Sequence, residues 1–450
     1  MTEMSELRAT RDGGRPRIVI LGAGFAGVEA SRALVRLLPK DEDGHIILVD
    51  RNNYQLFTPM LTEVAGGQVE TEHIISAVRR LSPRVRFEQG RVESIDVANK
   101  RVTLTLGGGK DGIPTASRTL DADHLVIALG SVTSFHGAPG VGEHSLTIKT
   151  VGDAAAIRNR ALELLERADV EPDQQRRREL LTFVVAGGGY SGVETMAALN
   201  DLVRDAARRH YPHVNTADIS TVLVHPGKRL LPEISAGLGS YTARKLRQRG
   251  VTVVLDTEIT GAGPDWVELA GKGGTDKRRL PTRLLVWAAG VAPNPVVGTL
   301  PVEHGRHHGI LVDGTCAVPG HPGVWAMGDC AEIPQPGGKG TYAPTAQNAT
   351  REGPLVARNI VAALRGERPR PFVYTPIGEL AIIGKRTGVA SVYGLRFSGL
   401  LAWAMWRAIY LAKMPLLSKR LHIGLDWLLD AFIDAEIVEL PIARSEDDNR

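Results

Sequence analysis

Glycine recurs at the spacing G-x-G-x-x-G three times in this chain, in GAGFAG at 22–27, GGGKDG at 107–112 and GGGYSG at 187–192. The chemistry open to such a spacing is anion binding, because small residues let main-chain N–H groups and a helix start converge on a phosphate. With 50 glycines in 450 residues, roughly 0.6 matches arise by chance in a chain of this length. The flanks therefore decide. GGGKDG follows an alternating run but leads into IPTAS, whose Pro114 and polar residues do not open a helix, so it reads as a hairpin turn.

The other two loops sit between an apolar run and a helical one. GAGFAG joins RIVIL to VEASRALVRLL, and GGGYSG joins LLTFVVA to VETMAALNDLV. In the first, Gly22 permits the turn, Gly24 lets a pyrophosphate approach and Gly27 lets helix and strand pack closely. Phe25, Ala26 and Arg51 join them as candidate cofactor contacts, and Asp50, ending the next strand, can accept hydrogen bonds from a ribose diol. Gly187, Gly189, Tyr190, Ser191 and Gly192 repeat the arrangement for a second dinucleotide. There the following strand ends at His225, with Lys228 and Arg229 just beyond. An acid at that place repels a 2′-phosphate, whereas His does not, so NADPH stays open beside NADH.

Two glycine-ended strands, VIALGS with Gly130 and VWAAGV with Gly290, follow the two halves. Each permits close approach of main chain to a cofactor, and each also fits an ordinary turn. VWAMGDCAEIP sets Gly328 and Asp329 straight after an apolar strand, where a carboxylate reaches flavin ribityl hydroxyls and a following helix start faces phosphate. A simple helix cap at Asp329 is the plainer alternative.

The elements that must hold these loops alternate strand and helix, which implies an α/β fold with parallel sheets. Strands are expected at 17–21, 45–50, 124–129, 180–186, 220–225, 251–255, 284–289 and 324–327, with looser β structure over 85–106. Helices are expected at 27–38, 152–168 and 192–210, and a polar, arginine-rich connector over 171–178. Length allows two or three units. The formal charge is +4, too small to imply nucleic-acid binding unless clustered. Cys316 and Cys330 are the only cysteines, so neither a disulfide framework nor a close dithiol is available. Residues 1–16 read as a polar, disordered lead-in, and no run is long and apolar enough for a transmembrane helix.

In order along the chain, GAGFAGVEA, VDRNNYQLFTPMLTEVAGG, IALGSVTSFHGAPGV, GGGYSGVE, VWAAGVAPNP, VWAMGDCAEIP, APTAQNATREG and FSGLLAWAMWR resemble the type II NADH dehydrogenases. These are single-subunit NADH:quinone oxidoreductases of the wider pyridine nucleotide-disulfide reductase fold. The resemblance implies FAD at the first loop, NADH at the second, and electron transfer to a membrane quinone without proton pumping. It implies that Glu194 stands near the meeting point of nicotinamide and flavin. It also implies that Ala346 and Gln347 lie beside the isoalloxazine at the quinone pocket, where Gln347 can donate to a quinone carbonyl. Without the resemblance, Glu194 is explained by the helix dipole alone. The family usually has an acid where this chain has His225.

In the tail, Leu400, Trp403, Trp406 and Ile409 recur at three-residue steps. Between residues 391 and 432, Arg396, Arg407, Lys413, Lys419 and Arg420 face only Asp426 and Asp430. That pattern suits an amphipathic element on a lipid surface, with aromatics at headgroup depth. Packing on the protein's own core or on a second copy competes with it. The resulting expectation is two Rossmann-like domains, the second inserted in the first: FAD over 17–150 and 293–376, NAD(P)H over 151–292, and membrane association over 377–450. The protein is expected as a homodimer, peripheral to the cytoplasmic face of the cell membrane, with no metal. A soluble reductase of a protein such as ferredoxin and a non-catalytic redox sensor are the rival readings.

Overall fold

Short β-branched runs build two parallel sheets. In the first, IVIL at Ile18–Leu21 has every residue buried, as a strand covered on both faces requires. It pairs in parallel with Ile46–Asp50 on one side and His124–Ile127 on the other. The sheet order is Val324–Ala326, His124–Ile127, Ile18–Leu21, Ile46–Asp50, Arg86–Gln89. The second sheet runs Leu146–Thr147, Leu284–Trp287, Thr182–Ala186, Ser220–Val224, Val251–Val254, again all parallel. In both sheets the strand leading into a glycine loop is central. This computed structural model describes residues 7–8, 16–40, 45–107, 116–338, 340–430 and 436–439.

Each half adds a smaller sheet built on an antiparallel meander. Arg91–Asp96, Arg101–Leu106 and Ala116–Asp121 form the first, which Leu7–Arg8 extends as a fourth strand paired in parallel with Ala116–Asp121, so this part of the lead-in expected to be disordered is a strand; Thr257–Gly263, Trp266–Gly271 and Thr275–Pro281 form the second. Leu106 is paired with Ala116, so GGGKDG joins an antiparallel pair; its residues 108–112 lie outside the described ones, as does nearly all of the 1–16 lead-in.

The chain divides into two compact units. One comprises the residues up to Leu56, Ile75–Val132 and Val291–Pro376; the other comprises Phe57–Ile74, Thr133–Gly290 and the residues from Ile377 on. These borders differ from those expected in sequence. Residues 57–74 and 133–150 go with the second unit, and so does the tail, because helix Leu61–Ala65 packs on Val151–Val170 and Tyr190–His210, and helix Leu400–Lys413 packs on strand Gly388–Val392. In the first unit, helix Phe25–Leu37 lies along Ala346–Leu364. A methyl on Gly353 would stand 2.4 Å from the Ala26 carbonyl oxygen, so glycine there sets how near the two helices come.

Two local expectations change. The arginine-rich connector contains a helix, Gln174–Leu180, capped by the Asp173 side chain, which accepts from Arg176 N–H at 2.9 Å. The helix expected straight after Asp329 is one 3₁₀ turn, Gly328–Cys330, followed by strand Ala331–Glu332; the long helix begins only at Ala346.

Candidate functional site

The two glycine loops are near copies. Gly22 N–H donates to Val49 C=O at 2.7 Å and Gly187 N–H to Val224 C=O at 2.8 Å. Gly22 and Gly187 have φ of 105° and 113°, a region that favours glycine. A Cβ there would lie 2.2 Å from Ala128 O and 2.4 Å from Ala288 O respectively. On Gly27 or Gly192 it would strike the carbonyl oxygen of the loop's own first glycine. Gly24 and Gly189 are different: a Cβ on either meets nothing within 4 Å. Each is the N-cap of its helix, Phe25–Leu37 or Tyr190–His210, with no side-chain cap and no acid in the first turn. Open space at an uncapped, positively polarised helix start fits a dinucleotide pyrophosphate in both units. Phe25 and Ala26 begin the first helix, and Tyr190 and Ser191 the second.

The residue ending the next strand tethers each loop. Asp50 Oδ2 accepts from Ala23 N–H at 2.6 Å, and Oδ1 from Asn52 N–H at 2.8 Å. Burial raises the proton affinity of Asp50, and these two N–H groups oppose that. His225 takes the same place: its Nδ1 accepts from Gly188 N–H at 3.1 Å. An accepting Nδ1 carries no proton, so the ring is neutral with its hydrogen on Nε2. Burial lowers its proton affinity in the same direction.

In the first unit, Asp329 Oδ2 accepts from Ser131 Oγ at 2.7 Å, and Gly328 N–H donates to Glu352 Oε2 at 2.7 Å. Burial pushes the Glu352 carboxyl up to about 7. Gly130 C=O takes Asn294 N–H at 3.1 Å, while the Arg51 carbonyl accepts from Gln89 Nε2 at 3.0 Å. In the second unit, Gly290 C=O takes Ser134 N–H at 3.1 Å, and His136 Nε2 lies 3.0 Å from the Ala289 carbonyl oxygen. Ala346 and Gln347 open helix Ala346–Leu364, whose N-cap Thr345 accepts from Asn348 N–H at 3.2 Å. The Tyr374 hydroxyl donates to Gln347 Oε1. That bond fixes which way the amide faces and leaves Nε2 as its donating end. Both thiols are buried, Cys330 pushed up to about 12 and Cys316 also raised, so neither is an accessible thiolate.

Glu194 lies near the start of the second nucleotide helix, where Oε1 accepts from Ile382 N–H at 2.9 Å. Burial pushes it up to about 8. Glu63, which sequence reasoning missed, is equally enclosed and pushed up to about 7.

Comparison with known proteins identifies the scaffold. Residues 16–353 match the family model described as pyridine nucleotide-disulphide oxidoreductase, and residues 377–434 match the NDH2 C-terminal domain. The chain is 30% identical to the type II NADH:quinone oxidoreductase Ndh of Mycobacterium tuberculosis (strain ATCC 25618 / H37Rv), over 92% of this chain and 87% of that protein. It belongs to the type II NADH:quinone oxidoreductases. NDH2 from Plasmodium falciparum, solved in complex with NADH, has the same fold, with a TM-score of 0.85 at 19% identity over 94% of this chain and 99% of that one. A sulfide:quinone oxidoreductase from Aquifex aeolicus is more distant, with a TM-score of 0.69 at 19% identity, covering 94% and 96%.

Within this type II scaffold the tail departs from the sequence reading. Trp406 and Trp427 do not lie at headgroup depth: they are 1% and 8% exposed and face each other at 6.4 Å. Arg407 also turns inward, toward Glu63 and Asp430. The large exposed apolar side chains of the two helices are leucines, at 400 and 401 in one and at 417, 421, 425, 428 and 429 in the next, Leu417–Leu429. No helix among the described residues is long and apolar enough to cross a membrane.

Proposed function

We propose that this chain oxidises NADH and reduces a membrane quinone, with FAD between them and no proton pumping. Bound FAD supplies the redox chemistry, accepting a hydride and releasing two electrons. The chain's own groups position and exclude. Gly22, Gly24, Phe25, Ala26 and Gly27 hold the FAD pyrophosphate at the first helix start. Asp50 and Arg51 hold its ribose end, and Asp329, set by Ser131, holds the ribityl chain with Gly130, Gly328 and Ala346 alongside. Gly187, Gly189, Tyr190, Ser191 and Gly192 hold the NADH pyrophosphate, with His225 and Gly290 at its flanks. Gln347 gives a hydrogen bond from Nε2 to a quinone carbonyl, and Glu194 holds a proton at its carboxyl.

The observation that carries this reading is that one chain joins two uncapped glycine-loop helices to a tail matching the NDH2 C-terminal domain. A reductase of a protein acceptor needs no such tail. The enzyme works as a homodimer on the cytoplasmic face of the membrane, gripping lipid through the leucine face of Leu417–Leu429.

Stopped-flow mixing tests it. NADH should bleach the flavin in a single phase, and a short-chain quinone added next should restore the oxidised spectrum over repeated turnovers. If the reduced flavin persists with quinone and is discharged only by a protein acceptor, or stalls after one reduction, the reading falls to one of its rivals.

A further inference from the structure

Glu352 is a buried carboxyl to which the cofactor assignments above give no task. It stands in helix Ala346–Leu364 and is 3% exposed. It lies beyond the first turn of that helix, so the helix dipole does not account for it. A carboxyl is seldom enclosed in this way unless its oxygens are used. Oε2 is used: it accepts from Gly328 N–H at 2.7 Å.

That N–H belongs to the 3₁₀ turn Gly328–Cys330, which has no side-chain cap of its own. Gly328 has φ of 71°, a conformation that favours glycine. Three hydrogen bonds hold the turn. Met327 N–H donates to Ile127 C=O at 3.0 Å and fixes the strand that enters it. Ser131 Oγ donates to Asp329 Oδ2 at 2.7 Å and fixes the Asp329 side chain. The bond to Glu352 fixes the main chain from which Asp329 projects. A carboxyl keeps an accepting oxygen for this N–H whether or not it carries a proton, and burial pushes Glu352 up to about 7.

The next residue sets where Glu352 itself stands. A methyl on Gly353 would meet the Ala26 carbonyl oxygen at 2.4 Å and the Ala30 nitrogen at 2.7 Å. Helix Ala346–Leu364 therefore lies main chain against main chain on Phe25–Leu37, the helix whose start fits the FAD pyrophosphate. The turn touches the same helix, since a methyl on Gly328 would stand 3.5 Å from the Ala26 side chain. Two consecutive residues thus reach two anchors, Gly353 the pyrophosphate helix and Glu352 the turn that bears Asp329. The pyrophosphate and ribityl chain of FAD are joined by few bonds, so both anchors engage only at one separation.

We propose that Glu352 is a positioning residue for FAD: through Gly328 N–H it holds Asp329 at a set span from the pyrophosphate loop Gly22–Gly27. This role, which rests on Asp329 taking the ribityl chain as proposed above, involves no group of the acceptor side.

The test is the rate at which the holoenzyme releases FAD, followed by the rise of flavin fluorescence after dilution. Glu352→Met keeps the bulk and removes the acceptor, and should release FAD about tenfold faster than wild type, the worth of one hydrogen bond. Glu352→Gln retains an accepting oxygen and should stay within about twofold of wild type. Asp329→Ala should also speed release, and adding Glu352→Met to it should change the rate by less than about twofold, because the anchor being positioned is gone. If Glu352→Met does not fold, Glu352→Asp, which withdraws the acceptor by one methylene, replaces it in both backgrounds with the same expectation. Release at the wild-type rate from Glu352→Met overturns the proposal. So does release from Glu352→Gln as fast as from Glu352→Met, or an equal effect of Glu352→Met with and without Asp329. Each of these leaves the ribityl assignment standing, whereas wild-type release from Asp329→Ala overturns that assignment and the positioning role together.

Discussion

At the scale of single residues, the pairing of Asp50 with His225 is the most informative feature. Both accept from the second N–H of their glycine loop, so the tether is common while the charge is not. From sequence, His225 signifies only that repulsion of a 2′-phosphate is absent; the structure adds that the ring must be unprotonated to hold Gly188. Its proton affinity is lowered in the folded chain. The tether is therefore present above the ordinary imidazole range and is lost as pH falls through the depressed folded value, where the KM for NADH should rise. His225→Glu keeps an acceptor and restores an acid. The ratio of kcat/KM for NADH over NADPH should increase by about tenfold or more, since a carboxylate there repels a 2′-phosphate. A steady-state ratio within about twofold of wild type would place the 2′ position away from residue 225.

At the scale of elements, the helix Leu417–Leu429 carries the membrane argument. Leu421 and Leu425 are 68% and 51% exposed and one turn apart, so charging them removes no internal packing. Leu421→Glu with Leu425→Glu should lower liposome sedimentation by about tenfold or more while Tm stays unchanged, given that burying one leucine contributes about 1.5–3 kcal/mol. Unchanged sedimentation would move the lipid contact elsewhere. Truncation near Gly394 is a poorer experiment, because it also strips Trp406, Arg407 and Trp427 from Glu63 and Glu194. That distinction was not legible in sequence, where a three-residue tryptophan step fits headgroups and core equally well. The two βαβ units were legible, because an apolar strand, a glycine loop and a periodic helix agree at each level. Buried acids were not. GVE occurs in both nucleotide helices, yet Glu29 forms a half-exposed pair with Arg32 at 2.9 Å, while Glu194 is enclosed. The covering strand Gly378–Ile382 and the helix Leu400–Lys413 beyond it, both far along the chain, make that difference. Glu63 and Glu352 lay within quoted motifs but carried no pattern that marks burial.

At the scale of the whole molecule, function requires two half-reactions on one chain, and the described side chains divide between them. The first unit holds one cradle and Gln347; the second holds the other cradle and Glu194. Neither cysteine is an accessible thiolate, so electron transfer has no dithiol route and must run from nicotinamide to flavin to acceptor. A residue acting on the acceptor side alone should then separate the two rates. Gln347 is suited to show this, because Tyr374 fixes its amide through Oε1 and Arg351 Nη1 holds its main-chain carbonyl at 2.8 Å, so truncation leaves the helix in place. Gln347→Ala should slow reoxidation by quinone by about tenfold, the worth of one hydrogen bond made in the transition state, while bleaching by NADH changes by less than about twofold. Rapid mixing measures both steps on one sample. Equal losses in the two would show that Gln347 supports the flavin itself, and the donor to quinone would have to be sought among other groups of the first unit.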